Sequence, residues 1–435
     1  MRRSVRLGLV IAALLIAASA IPSLGFEVNT FGFNWTFYRG VVVLLSVVTL
    51  ILYRGEIRIT ARKENLLWMG FMLIWLIYGA VLLVVSPFSD PGRGTLELFS
   101  ILCGLLSFYI LSGLRLTDRE IETLLRVLFF LLLGLVILGF YEIITGNHLS
   151  FSMFNDPDNL VKHRWSIHTA SGIMYNINDF SALLTLMCPV VIGRFRIRFR
   201  WGYFDPGWLL LIAVIVINRI NDANTSIIAI IVGVVLYFAL PLTGDRRKMG
   251  KLLLVLAIAI LAVVLYFVVM EAEDEGFLNR VFGLVKETTE GKGSLHSRIL
   301  IYRDDLVAAW RSGLMGLGPA GFPVYYTRYP MDSASGFVNP HSLVLEILSQ
   351  YGVVICIGFL FLLCRLVKKM YRIYKVKTSC EQQKEWGRMG VIIIVVYLIV
   401  TFASSSYLLN TLHWTLLALL CLIADMESER NDETG

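Results

Sequence analysis

Apolar runs recur along the whole of this 435-residue chain. A bilayer's hydrocarbon core is about 30 Å thick, which an α-helix crosses in roughly 20 residues. Lipid offers the backbone no hydrogen bonds, so each such run must satisfy its own N–H and C=O groups as a helix. Composition agrees: 57% of residues are hydrophobic and the mean hydropathy is +0.72, which excludes an ordinary soluble domain. The expected class is an all-α, polytopic integral membrane protein with about 12 transmembrane helices. The spans are placed at 7–24, 37–53, 66–85, 96–113, 123–141, 178–193, 207–218, 225–241, 252–270, 343–364, 389–407 and 411–425, of which the seventh and last are short. The first run follows Arg2, Arg3 and Arg6 and ends near Ala18-Ser19-Ala20, like a signal peptide. The many spans behind it favour an uncleaved first helix.

Basic residues orient the chain. With both termini cytoplasmic, the clusters Arg54/Arg58/Arg62/Lys63, Arg194/Arg196/Arg198/Arg200 and Arg246/Arg247/Lys248 all fall in inner loops, as does the basic loop from Arg365 to Arg388. That alternation is the positive-inside pattern. It accounts for the net charge of +7 without a nucleic-acid partner, because the arginines form no concentrated soluble patch. Two extracytoplasmic segments are long, about 142–177 and about 271–342. His148, His163, His168, His296, His341 and His413 all fall in outer loops or at an outer helix end. Cys103, Cys188, Cys356, Cys364 and Cys421 lie inside spans and Cys380 in an inner loop, so the cysteines are small apolar fillers rather than a disulfide or metal framework. No linker or internal repeat divides the chain. One integral membrane domain, 1–435, is expected, with the extracytoplasmic loop 271–342 as a cap carrying the site.

The outer loop 142–177 holds the turn-rich Asn155-Asp156-Pro157-Asp158-Asn159, then Lys162, His163 and Arg164, the last a candidate substrate contact. At the mouth of the sixth span, Asn178 is open to two readings, a helix N-cap or a substrate contact. In the loop 271–342, Leu295, Ile299, Leu306 and Trp310 recur at helical spacing. They predict an amphipathic helix over Ser294 to Arg311, lying on the membrane or on the bundle. Arg298 and Arg303 are about 140° apart on such a helix and cannot both address one ligand unless it breaks between them.

Gly316-Leu317-Gly318-Pro319-Ala320-Gly321 matches GxGxxG, but no strand precedes it and Pro319 removes a phosphate-facing N–H. A tight turn is the expected reading, with glycine also allowing close approach to a bulky ligand. His341, in Asn339-Pro340-His341-Ser342-Leu343, opens the tenth span. Glu346 follows in the outer part of that span, where a carboxylate needs a partner or water. Arg298, Arg303, Arg311 and Arg328 lie upstream. Arginines that grip phosphate bidentately, with one imidazole titrating near neutrality, suit an anionic lipid-linked donor. Arg219, between two spans, either snorkels to the interface or faces the same site.

The run Ser297-Arg298 … Gly316-Leu317-Gly318-Pro319-Ala320-Gly321-Phe322 … Pro340-His341-Ser342-Leu343-Val344-Leu345-Glu346 … Tyr351-Gly352 resembles the signature of the O-antigen ligase and Wzy-type polymerase superfamily. Asn178-Asp179-Phe180-Ser181 also looks like a family feature. The resemblance implies a metal-independent, inverting glycosyltransferase without cofactor. It would move a glycan from an undecaprenyl-diphosphate carrier to an acceptor hydroxyl of a glycan or lipid, on the outer face of the bacterial cytoplasmic membrane. By that resemblance His341 activates the acceptor, Arg298 holds the pyrophosphate, and Arg303 is the weaker match. Ser342 stands where the family usually has Asn, and Ile227 where it has a second Arg, a role Arg219 would have to fill. A polysaccharide transporter or lipid flippase is the rival reading, since twelve helices with basic inner loops fit it equally. A non-catalytic envelope scaffold is a third.

Overall fold

A helix apolar on every side belongs at the centre of its bundle. The segment Leu412–Thr434 is that helix, with each residue from Leu412 to Asp425 buried. The computed structural model describes residues 2–22, 27–30, 33–53, 63–157, 165–195, 197–199, 202–242, 293–329, 341–376, 380–402 and 407–434. Numbered in chain order, the helices are α1 Arg2–Ala20, α2 Phe37–Tyr53, α3 Lys63–Val85, α4 Pro91–Gly113, α5 Asp118–Thr145, α6 Ile177–Val191, α7 Gly207–Ile220 and α8 Asn224–Ala239. They continue with α9 Gly293–Arg311, α10 Gly321–Arg328, α11 Leu343–Lys375, α12 Glu381–Val400 and α13 Leu412–Thr434. Around α13 pack α1, α3, α4, α11 and α12, while α6, α7 and α8 gather against α5 and α12.

Every expected span except 252–270, which lies outside the described residues, contains a helix. By length and composition Lys63–Val85, Pro91–Gly113, Asp118–Thr145 and Leu343–Lys375 can cross a membrane, and five further apolar helices are shorter. The outer face of α3 presents Leu67, Leu73, Ile74, Ile77, Val81 and Val84. So continuous an apolar face is at home in lipid rather than water. The all-α expectation did not include two short antiparallel hairpins, β1 Glu27–Thr30 with β2 Phe33–Thr36 and β3 Ile197–Phe199 with β4 Gly202–Phe204.

Helix ends are fixed by named groups. Asp90 accepts the N–H groups of Gly92 and Arg93 ahead of α4, and a Thr117–Glu120 capping box opens α5. The start of α3 is capped from α13: Asp425 accepts the N–H groups of Glu64 and Asn65 at 2.9 and 3.1 Å. Beside it the buried Glu64 receives Arg365 at 2.7 and 2.8 Å, with Lys369 at 3.3 Å. These contacts lock α3, α11 and α13 at the end of the bundle far from His341. Removing Arg365 and Lys369 would leave the buried Glu64 carboxylate without its cationic partners, which is costly.

The amphipathic helix α9 lies on the bundle, packed along α11. Its apolar stripe faces outward: Ile299, Leu306 and Trp310 are exposed, while Ile301, Asp304, Asp305, Ala308 and Ala309 are buried. That inversion suits a helix whose outer neighbour is lipid or interface and whose inner neighbour is protein.

Candidate functional site

The glycine-rich turn settles against a break in α11. At Gly352 the backbone takes φ +81° and ψ 176°, a conformation open essentially to glycine alone. The break frees the groups before it, and the turn takes them up in strand-like fashion. Leu317 N–H donates to the Ser349 carbonyl at 2.7 Å and Gly318 N–H to that of Gln350 at 2.9 Å. In return Val353 N–H donates to Leu314 at 2.9 Å. Glycine is needed for proximity: a Cβ at Gly316 would sit 2.5 Å from the Gln350 carbonyl oxygen. Tyr78 from α3 donates to the Met315 carbonyl at 2.5 Å, and Ser86 donates to that of Leu317. These contacts pack the turn against α11.

A buried carboxyl clamps the turn to two helices. Glu97 of α4 accepts the Tyr351 hydroxyl at 2.6 Å and the Ala320 N–H at 3.1 Å. Beyond the turn, α10 docks through Phe322 and Tyr325 onto Ala308 and Leu317. Two of the four loop arginines are spent here. Arg311 donates to the Tyr325 hydroxyl at 3.3 Å, and Arg328 lies 5.4 Å from the centre of the Phe88 ring.

His341 stands just ahead of α11 with φ +51°. A non-glycine residue in left-handed backbone is uncommon, though His tolerates it better than most, and such strain collects at functional positions. The strained peptide is held by α9, where Tyr302 donates its hydroxyl to the His341 carbonyl at 3.3 Å. Asp305, less than a turn further along α9, lies against Ser349 and Glu346 of α11. The two helices therefore run side by side in the same direction, and the start of α9 projects past His341.

Arg298 is four residues before Tyr302 and seven before Asp305, the same face of α9, although its side chain is outside the described residues. Arg303 points elsewhere: half exposed, it pairs with Asp304 at 3.1 Å. On the continuous helix α9 the two arginines start from backbone positions about 140° apart. Glu346 is buried, and its Oε2 accepts the Tyr407 N–H at 3.2 Å. Arg219 ends α7 and pairs with Asp222 at 3.9 Å. Arg164 lies outside the described residues. Asn178 is not the cap of α6: Asn176 is, its side chain accepting the Asn178 N–H at 2.8 Å. The helix begins one residue earlier than the span was drawn, because Ile177 is already buried against the bundle. Among the described residues no group of three His, Cys, Asp or Glu side chains is placed to hold a metal.

Sequence reasoning passed over Glu97, Tyr302 and Asp305. A carboxylate inside or beside an apolar run was the available signal for the two acids.

Residues 207–363 match the O-antigen ligase family model. The matched stretch takes in Arg219, Arg298, Asp305, His341 and Glu346, and leaves Glu97 and Asn178 outside. The chain is also 23% identical over 436 residues to the teichuronic acid biosynthesis protein TuaE of Bacillus subtilis (strain 168), covering 95% of this chain and 84% of that relative.

The loop after α5 carries a separate polar network. Glu142 Oε2 accepts the N–H groups of Ser171 and Gly172 at 2.8 and 2.7 Å, with His148 Nδ1 at 3.4 Å. His148 Nε2 lies 2.8 Å from the Ile167 carbonyl. Burial opposes the charged ring, but the hydrogen bonds to Glu142 and Ile167 and the Glu142 charge outweigh it and hold His148 above its ordinary value of 6.5. A raised folded-state value means that the protonated ring stabilises the fold in full below pH 6.5. That contribution is lost as pH rises through the higher folded value. Melting temperature is therefore expected to fall across that window in the wild-type protein and to lose this slope in His148→Gln. An identical slope in the variant would exclude His148 as its source.

Proposed function

We propose that this protein is an inverting, metal-independent glycosyltransferase that moves a glycan from an undecaprenyl-diphosphate-linked donor to an acceptor hydroxyl on the extracytoplasmic face of the cytoplasmic membrane. The observation that carries the reading is the strained His341 at the head of α11, fastened to α9 by Tyr302, with Arg298 on the same face of α9. His341 accepts the proton of the acceptor hydroxyl. The acceptor oxygen bonds the anomeric carbon from the side opposite the diphosphate. The carbon–oxygen bond to the diphosphate breaks, and its electron pair leaves on that group. Arg298 offsets the charge that grows on the departing oxygen, the role preorganised donors play in an oxyanion hole. Arg303, Arg219, Glu346, Asn178 and Arg164 remain the proposed surroundings of the substrate. The O-antigen ligase match and the teichuronic acid relative support a glycan substrate.

The test is incubation of purified protein in nanodiscs with a lipid-linked oligosaccharide. Chains that lengthen identify a polymerase, and chains that move to a second acceptor identify a ligase. Passage of the intact donor across liposomes with no glycosidic product would replace the enzyme reading with the flippase one.

A further inference from the structure

Three segments of the chain meet in a cluster of rings and guanidiniums that the reaction as written does not use. Phe88 lies in the loop between α3 and α4, Arg311 ends α9, and Tyr325, Arg328 and Tyr329 come from α10 and its C-cap. The rings interlock, with centroids 5.2 Å apart for Phe88–Tyr325 and for Tyr325–Tyr329, and 6.1 Å for Phe88–Tyr329. Tyr325 is buried and anchors the cluster, while Tyr329 is 47% exposed. Both arginines are exposed, Arg328 over the Phe88 ring and Arg311 on the Tyr325 hydroxyl.

These contacts fix the guanidiniums without neutralising them. Among the described residues neither one meets a carboxylate, the group that arginine's planar fork grips bidentately. Asp90 and Glu97, close to Phe88 in sequence, are turned to other partners: Asp90 caps α4, and Glu97 clamps Tyr351 and Ala320. Two like charges held on one ring cluster without counter-ions attract an anion. The exposed Tyr329 ring adds a flat, electronegative face on which the C–H side of a sugar ring settles. A sugar that carries a carboxylate satisfies both features at once. A phospholipid head group brings the charge but no flat C–H surface. Helix α9 ties the cluster to the proposed reaction site. Its Tyr302 holds the His341 carbonyl, and Arg311 follows on the same helix roughly 14 Å further along the axis. That interval suits a chain of sugars rather than a single one.

We propose that Arg311, Arg328 and Tyr329 form a binding surface for an acidic glycan, one whose sugars carry carboxylates, and hold the chain while its end reaches His341. This rests on the glycosyltransferase reading and narrows its substrate to acidic polymers.

The test reads binding rather than product. Full-length protein in phosphatidylcholine nanodiscs is titrated with fluorescent oligogalacturonate, and with its methyl ester as the uncharged control. The acid binds, more weakly as salt is raised, and the ester binds about tenfold more weakly. Arg311→Gln/Arg328→Gln weakens binding of the acid about tenfold, the loss of two exposed charge contacts. Tyr329→Leu, apolar but without a ring, weakens it about threefold. Either variant binding the acid as the wild-type protein does overturns the proposal. In the wild-type protein the acid, and not the ester, also slows modification of Arg311 and Arg328 by p-hydroxyphenylglyoxal, read by mass spectrometry of their peptides. Unaltered modification overturns the proposal even where the variants do not fold. If phosphatidylglycerol in the nanodisc shields both arginines and blocks the acid, the surface belongs to lipid head groups and the proposal also fails. A protein that binds the acid here but forms no glycosidic bond loses the enzyme reading and keeps the binding surface. One that transfers glycan while neither arginine is shielded loses the surface alone.

Discussion

Replacing His341 with Asn is expected to lower glycan transfer by about 10²–10⁴-fold, the usual contribution of a positioned general base. Asn is the informative choice because residue 341 is left-handed, at φ +51°. Asn tolerates that region nearly as well as His, whereas Ala adds strain to the chemical loss. The variant should therefore melt close to the wild-type protein while its initial rate with lipid-linked donor collapses. Arg298→Ala should cost a similar amount by a different route, since removing one preorganised donor to a developing oxyanion typically costs about 10²–10³-fold. If both groups act on one transition state, the double variant is only slightly worse than the weaker single variant, because residues acting as a unit do not add. Full activity in either folded single variant would remove that residue from the reaction.

What could be read in one dimension was read well, and what depends on distant partners was not. Apolar run length is a property of neighbouring residues, so the membrane class and the helices around Lys63–Val85 or Leu343–Lys375 were plain from the sequence. The span drawn at 411–425 looked short for a lipid-facing helix. It is the hub of the bundle, and α13 continues beyond it to Thr434. In α9 the spacing of Ile299, Leu306 and Trp310 marked one face correctly, yet spacing alone does not say whether an apolar face looks at protein or lipid. It looks away from the bundle, which turned Asp305 inward and hid its importance. Asn176 and Asn178 are equally good caps by residue type, and burial of Ile177 chose the first. Glu97 acquires meaning only beside Tyr351 and Ala320, residues more than two hundred positions away.

The same dependence on distant backbone makes Gly352→Ala the most damaging single-atom change expected in the fold. A Cβ there would lie 2.5 Å from the Leu314 carbonyl oxygen and 2.7 Å from the Met315 carbonyl carbon and oxygen, all backbone atoms with no rotamer to yield. The residue also sits at φ +81°, ψ 176°, which costs an L side chain about 1–3 kcal/mol before any clash. To relieve the clash, the turn must move off α11. That movement threatens the hydrogen bonds of Leu317, Gly318 and Val353 with their partners, along with the Ala320–Glu97 contact. A total loss of at least about 3 kcal/mol is expected, enough to unfold a marginal protein. Gly134→Ala is the control: it lies inside α5 with open space where the Cβ would go, so it should be neutral or stabilising by about 0.5–1 kcal/mol. Thermal melting of both variants in the same detergent decides the matter. A Gly352→Ala protein as stable as Gly134→Ala would mean that the turn does not dock on the α11 break. The seat that α9 and α11 provide for His341 would then need a different explanation.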